Sequence, residues 1–160
     1  MRLPASVRRA VGAALAPLAA GALALGGLTA WVLAGAAGSP AAPAVTGARL
    51  LLPSNPEATA AFFDIRNTGG ADDALVGVTA PWRGRAMLGR RVVRAGAGSM
   101  RMVDAVAVPA GGTLRMSASG VDVMVRRPPR LRVGDRVPFV LRFRDSGPVR
   151  VTAVVVRPGS

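Results

Sequence analysis

The stretch "RVPFVLRFRDSGPVRVTAVVVR", from Arg136 to Arg157, decides the fold class. Val137, Phe139, Leu141 and Phe143 fall at every second position, so an extended chain turns them to one face and Arg142 and Arg144 to the other. A period of two belongs to a strand. Asp145-Ser146-Gly147 is a turn signal, and Val149–Arg157 returns in the same alternation, so the stretch predicts a β-hairpin.

The same style runs back to Ala48. No window there holds a period of 3.6, and short Val/Ile/Leu/Phe runs recur between Gly, Pro and Asn punctuation. Further strands are expected at residues 49–52, 60–67, 74–79, 85–94, 100–108, 113–117 and 121–125, with turns at "NTGGADD", "VPAGG", "SASG" and "RVGD". This is the spacing of an all-β sandwich or small barrel.

Before Ala48 the chain changes character. Arg2, Arg8 and Arg9 precede an uncharged run from Ala10 to Gly38, expected as a signal peptide or membrane-anchor helix over residues 1–38. Small-residue cleavage triplets occur at Ala34-Gly35-Ala36 and Ala42-Pro43-Ala44, so both a cleaved and an anchored form fit. Arginines on the N-terminal side place the remainder outside the cytoplasm, membrane-anchored or secreted. Residues 39–47 are small and Pro-rich, which predicts a flexible linker to a β domain at 48–160.

Composition removes several chemistries. There is no Cys, His, Tyr or Lys, so a Ser-His-Asp triad, a Cys nucleophile and a His or Cys zinc site are all excluded, as is a lipid-bearing cysteine. No acid/base pair beside a nucleophile can be assembled, and an enzyme is not expected. The net charge is +13, carried by 21 Arg. They are spread along the chain, and with four Phe and two Trp the stacking platforms are few, so nucleic acid is not the expected partner. The densest cluster, "VRRPPR" from Val125 to Arg130, reads as a soluble loop stiffened by proline, with docking to an acidic partner or anionic lipid as the alternative.

Four of the six methionines lie in "SMRMVDAVAVPAGGTLRMSASGVDVM", Ser99–Met124. Strand periodicity puts Met100 and Met102 on one face of one strand, Asp122 and Met124 on one face of another, and Met87 on the strand before. Thioethers fill core gaps more often than they bind metal, and that is the expectation for Met102 and Met116. Asp122, beside a turn, is expected as a solvated surface residue.

Through "AAFFDIRNTGGADDALVGVTAP", "GSMRMVDAVAVPAGGTLRM", "SGVDVM" and "LRVGDRVPFVLRF" the chain resembles the PCu(A)C copper chaperones, exported cupredoxin-like (immunoglobulin-like) β domains that carry Cu(I) to respiratory-oxidase assembly. That family's motif is His, ten residues, Met, twenty-one residues, His, one residue, Met. Laid on this chain it falls on Gly89, Met100, Asp122 and Met124: both methionines match and both histidines are absent. The resemblance implies a Cu(I) carrier with Met100 and Met124 as ligands, delivering to oxidase assembly or another copper acceptor. Met102, Met87 and Asp122 are the residues available to complete the set. The alternative is a metal-free cell-envelope interaction domain that keeps the fold.

Overall fold

The computed structural model describes residues 5–33, 38–82, 84–94 and 97–159. It divides into two units, Met1–Ser39 and Pro40–Ser160. The first unit is one helix, α1 (Ala5–Leu33), with Pro17 inside it. Its Ala16–Leu33 segment is long and apolar enough to cross a membrane. The Ala34-Gly35-Ala36 triplet lies outside the described residues.

The second unit is a ten-stranded sheet: β1 (Pro43–Leu51), β2 (Ala58–Asn67), β3 (Asp73–Thr79), β4 (Ala86–Arg94), β5 (Ala97–Met102), β6 (Val106–Val108), β7 (Thr113–Arg115), β8 (Val121–Arg126), β9 (Arg136–Phe143) and β10 (Pro148–Val156). The neighbours run β5-β4-β8-β2-β1-β10-β9-β3-β6, with β7 also on β2. Among the described residues only the β1–β10 pairing is parallel.

The hairpin forms as the alternation predicts. Phe139 faces Val151 and Leu141 faces Val149 across β9 and β10, and Gly147 takes the left-handed backbone (φ 76°) that closes the turn. Val137, Phe139, Leu141 and Phe143 are buried while Arg142 is exposed. Each such large apolar side chain contributes about 1.5–3 kcal/mol by leaving water. The Phe63 ring of β2 meets the Phe139 ring of β9 edge-on at 5.4 Å, although three pairings separate those strands along the sheet. The sheet is therefore folded over one core, a cupredoxin-like sandwich.

Two expectations change. The strand expected over residues 100–108 is two strands, β5 and β6, parted at Val103-Asp104-Ala105 and lying at opposite ends of the sheet path. The segment 39–47, expected as a flexible linker, is strand from Pro43 onward. The cause is Asn67, which is fully buried and satisfied on both sides. Its Oδ1 accepts from the Ala42 and Gly69 amides, and its Nδ2 donates to the Ala71 and Val108 carbonyls. The Thr68 amide then donates to the Ala42 carbonyl. A buried amide that completes four hydrogen bonds holds its partners in place.

Candidate metal centre

At one end of the sheet β5, β4 and β8 lie side by side, with β4 in the middle. Leu88 of β4 and Val123 and Val125 of β8 point into the core. Alternation therefore turns Met87 and Gly89, and Asp122 and Met124, to the outer face. The register aligns them: Met87 sits opposite Met124, and Gly89 opposite Asp122. On the other side of β4, Gly89 faces Met102 and Arg91 faces Met100, so all four methionines share one face. The strands carrying Met100 and Met124 are not neighbours of each other. Each pairs with β4, so the Gly89 position is central.

Two side chains occupy the space over Gly89. A Cβ built there would lie 2.9 Å from the Met100 methyl and in hard contact with Asp122 Oδ1. The volume an imidazole would need at this position is thus held by a thioether and a carboxylate. Both are the free ends of side chains, which converge because glycine leaves room.

Asp122 departs from its expected place at the surface. The residue is half-buried, and its Oδ1 is buried with no hydrogen-bond partner. Burial pushes its carboxyl above the usual range. An orphaned acceptor of this kind favours a proton or a cation beside it. The cause is positional: alternation from the core residue Val123 sets Asp122 directly across from Gly89, under the Met100 methyl.

Met102 also departs from expectation. It is 48% exposed and Met100 is 38% exposed, because β5 ends the sheet path and nothing in the sheet covers its far side. Met116 does belong to the core, at 2% exposure. Among the described residues no three of His, Cys, Asp and Glu converge, so the face offers thioethers with one carboxylate and no hard chelate.

Arg126 belongs to the basic cluster Val125–Arg130 that the sequence marks, read there as a proline-stiffened loop, whereas Arg85 and Arg91 carry no such local signal. Met87, Gly89 and Arg91 alternate on β4, Arg85 immediately precedes that strand, and Arg126 follows Met124 by two on β8, so cations flank the thioethers at both ends. The period of two held that information.

Comparison with known proteins gives one family and one fold. The family model described as "Putative lipoprotein LpqE-like" matches residues 30–155. A curated relative, "Putative lipoprotein Lxx21020" of Leifsonia xyli subsp. xyli (strain CTCB07), is 34% identical over 98 residues, which is 58% of this chain and 58% of the relative's own length. The solution structure of CuI-DR1885 from Deinococcus radiodurans is 29% identical with a TM-score of 0.60, covering 79% of this chain and 85% of that one. The apo PCuAC domain from PmoF1 (21% identity, TM-score 0.61, 72% and 94% covered) and the copper-bound PCuAC domain from PmoF2 (19%, 0.60, 72% and 93%) share the fold.

Proposed function

The chain belongs to the LpqE-like family and has the fold of PCuAC copper-chaperone domains, and from that premise we propose that it binds Cu(I) on its methionine face and passes it on. The observation that carries this reading is the meeting of the Met100 methyl and the unpartnered Asp122 carboxylate over Gly89, beside the opposed pair Met87 and Met124. Thioethers are soft donors suited to Cu(I), and one carboxylate neutralises its single charge without demanding a hard-ligand geometry. Met100 and Met124 are the principal ligands, Met87 and Asp122 complete the set, and Met102 stands at the exposed rim. Neutral thioethers, with Met100 on the edge strand β5, hold the ion weakly enough to release it to a stronger acceptor, such as a protein of oxidase assembly.

The helix α1 and the family's lipoprotein description support an exported protein, anchored or secreted. This sequence holds no cysteine to take a lipid, and α1 carries a segment long and apolar enough to serve as a tether. The similar solved structures include a copper-bound PCuAC domain and a Cu(I) form of DR1885, which supports a carrier in preference to an enzyme.

The test is competition for Cu(I) between the full chain in detergent and a colorimetric chelator under reducing conditions. One-to-one binding that weakens at least tenfold in Met100→Leu/Met124→Leu is expected. Unchanged binding in that variant refutes the ligand assignment. A second reading has its own support: the imidazole volume over Gly89 is filled and both family histidines are gone, as in a metal-free interaction domain that retains the fold. Failure of the wild-type chain to compete selects it.

A further inference from the structure

We infer that the outer face of β4 and β8 is a docking surface for an acidic protein, with arginines gripping carboxylates of the partner on either side of the thioether patch. The surface exists whether or not copper binds. That the partner is a metal acceptor rests on the proposed function.

Three observations carry it. Arg126, at the end of β8, and Arg85, just before β4, lie at one end of the patch and Arg91 of β4 at the other, and all three are exposed. The Arg126 amide donates to the Arg85 carbonyl at 2.9 Å, which fixes these two cations side by side. Arg127, in the left-handed region at φ 50°, ends β8 and joins them around a hollow of about 380 Å³ that also takes in Met87. The cationic cluster and the thioether patch are therefore continuous.

The cations have no partner of their own. Among the described residues none of Arg85, Arg91, Arg126 and Arg127 forms an ion pair. Asp122 has its Oδ1 buried and unavailable to them, and Asp104, which shares a hollow with Arg85, Met87 and Met102, forms no ion pair with them among the described residues. Unpaired guanidinium groups bind carboxylates bidentately and steer an oppositely charged surface into register. Eighteen Arg against eight acids from Ala48 onward, a net of +10, add a long-range field of the same sign. Lone cations scattered on a sheet would not bracket an apolar patch. These do, as a protein interface with an apolar centre and a charged rim requires.

The experiment is fluorescence anisotropy of a labelled deca-glutamate peptide titrated with the full chain in phosphatidylcholine nanodiscs. Arg85→Ala/Arg126→Ala/Arg127→Ala should weaken binding at least tenfold. The control Arg49→Ala/Arg66→Ala/Arg115→Ala, which removes equal charge from around another hollow, should change it less than twofold. Equal losses in the two variants would show that net charge alone binds the peptide and would overturn the proposal. Displacement of the peptide by glycerophosphoglycerol at lower concentrations than by unlabelled deca-glutamate would make the face a lipid-headgroup surface and also overturn it. The chelator titration on the same samples separates the two readings. Arginine-dependent peptide binding by a chain that takes no Cu(I) keeps the docking surface and removes the copper role, and the reverse pattern removes the docking surface alone.

Discussion

Replacing Asp122 by Asn should make the apo protein more stable and a poorer copper carrier at once. The carboxylate has a buried oxygen with no hydrogen-bond partner, and burial raises its pKa, so ionisation at neutral pH costs folding free energy. An unsatisfied buried polar group costs about 1–3 kcal/mol, and the amide of Asn removes the charge while leaving a polar atom, so a gain of about 1 kcal/mol is expected at pH 7. For a β domain of this size that is about 4 °C in melting temperature. The sign follows from linkage. A carboxyl raised in the folded state is destabilising once ionised, so the advantage of Asn is full above the folded pKa. It shrinks as pH falls and vanishes below the unfolded value of about 3.9. The assay is thermal unfolding of metal-free wild type and variant between pH 3.5 and 8, followed by the chelator titration, in which the variant should lose about tenfold in Cu(I) affinity under the proposed ligand set. A variant less stable than wild type at pH 7 would mean that the carboxylate is satisfied in the fold, and the reasoning from its orphaned oxygen would fail.

Three further outcomes follow from the same structure. Met116→Ala should cost about 2–5 kcal/mol in urea unfolding, as for other buried apolar truncations, and leave Cu(I) competition unchanged, because Met116 is core. Asp73→Asn should destabilise by about 2 kcal/mol at pH 7. Burial pushes the Asp73 carboxyl up, but bonds from the Ser146 side chain and the Asp145, Ala74 and Ser146 amides outweigh it and hold the pKa below the usual range. That stability is present above the unfolded value of about 3.9 and is lost as pH falls through the folded one, which pH-dependent unfolding would show. Gly69→Ala should cost about 3 kcal/mol, read by denaturant midpoint, because its Cβ would strike the Pro40–Ala42 backbone, within 2.6 Å of the Ala42 nitrogen, where no side chain can yield.

The fold was legible where alternation is strict and the turn carries glycine, as in Arg136–Arg157. It was less legible where long-range contacts decide. Nothing local marks Pro43 as strand, since Asn67, distant in sequence, anchors the amide of Ala42. Nor does the run from Met100 to Val108 announce that its halves pair with different strands, β5 with β4 and β6 with β3. On the candidate face, spacing singled out Met100, Asp122 and Met124 and periodicity put Met87 on the face of Gly89, and the strand register brings these positions onto adjacent strands. The environment of Asp122 escaped, because burial of a carboxylate depends on which strand lies opposite, and a turn residue one strand away from a glycine looks solvated in one dimension.

Exchanging two imidazoles for Gly89 and Asp122 changes what a cation meets on this face. Imidazole is a neutral donor that binds by its lone pair, whereas the carboxylate binds a soft monovalent ion chiefly through charge. Four arginines then oppose that charge from the same surface, so the field that draws an acidic partner in also lowers the affinity for the ion. When partner carboxylates pair with Arg85, Arg126 and Arg127, docking and release stop competing: the partner supplies negative charge and stronger ligands at the place where Met100 is already exposed. Under the proposed function, weak thioether ligands and unpaired arginines are therefore two parts of one transfer surface, and raising copper affinity by removing the arginines should slow delivery.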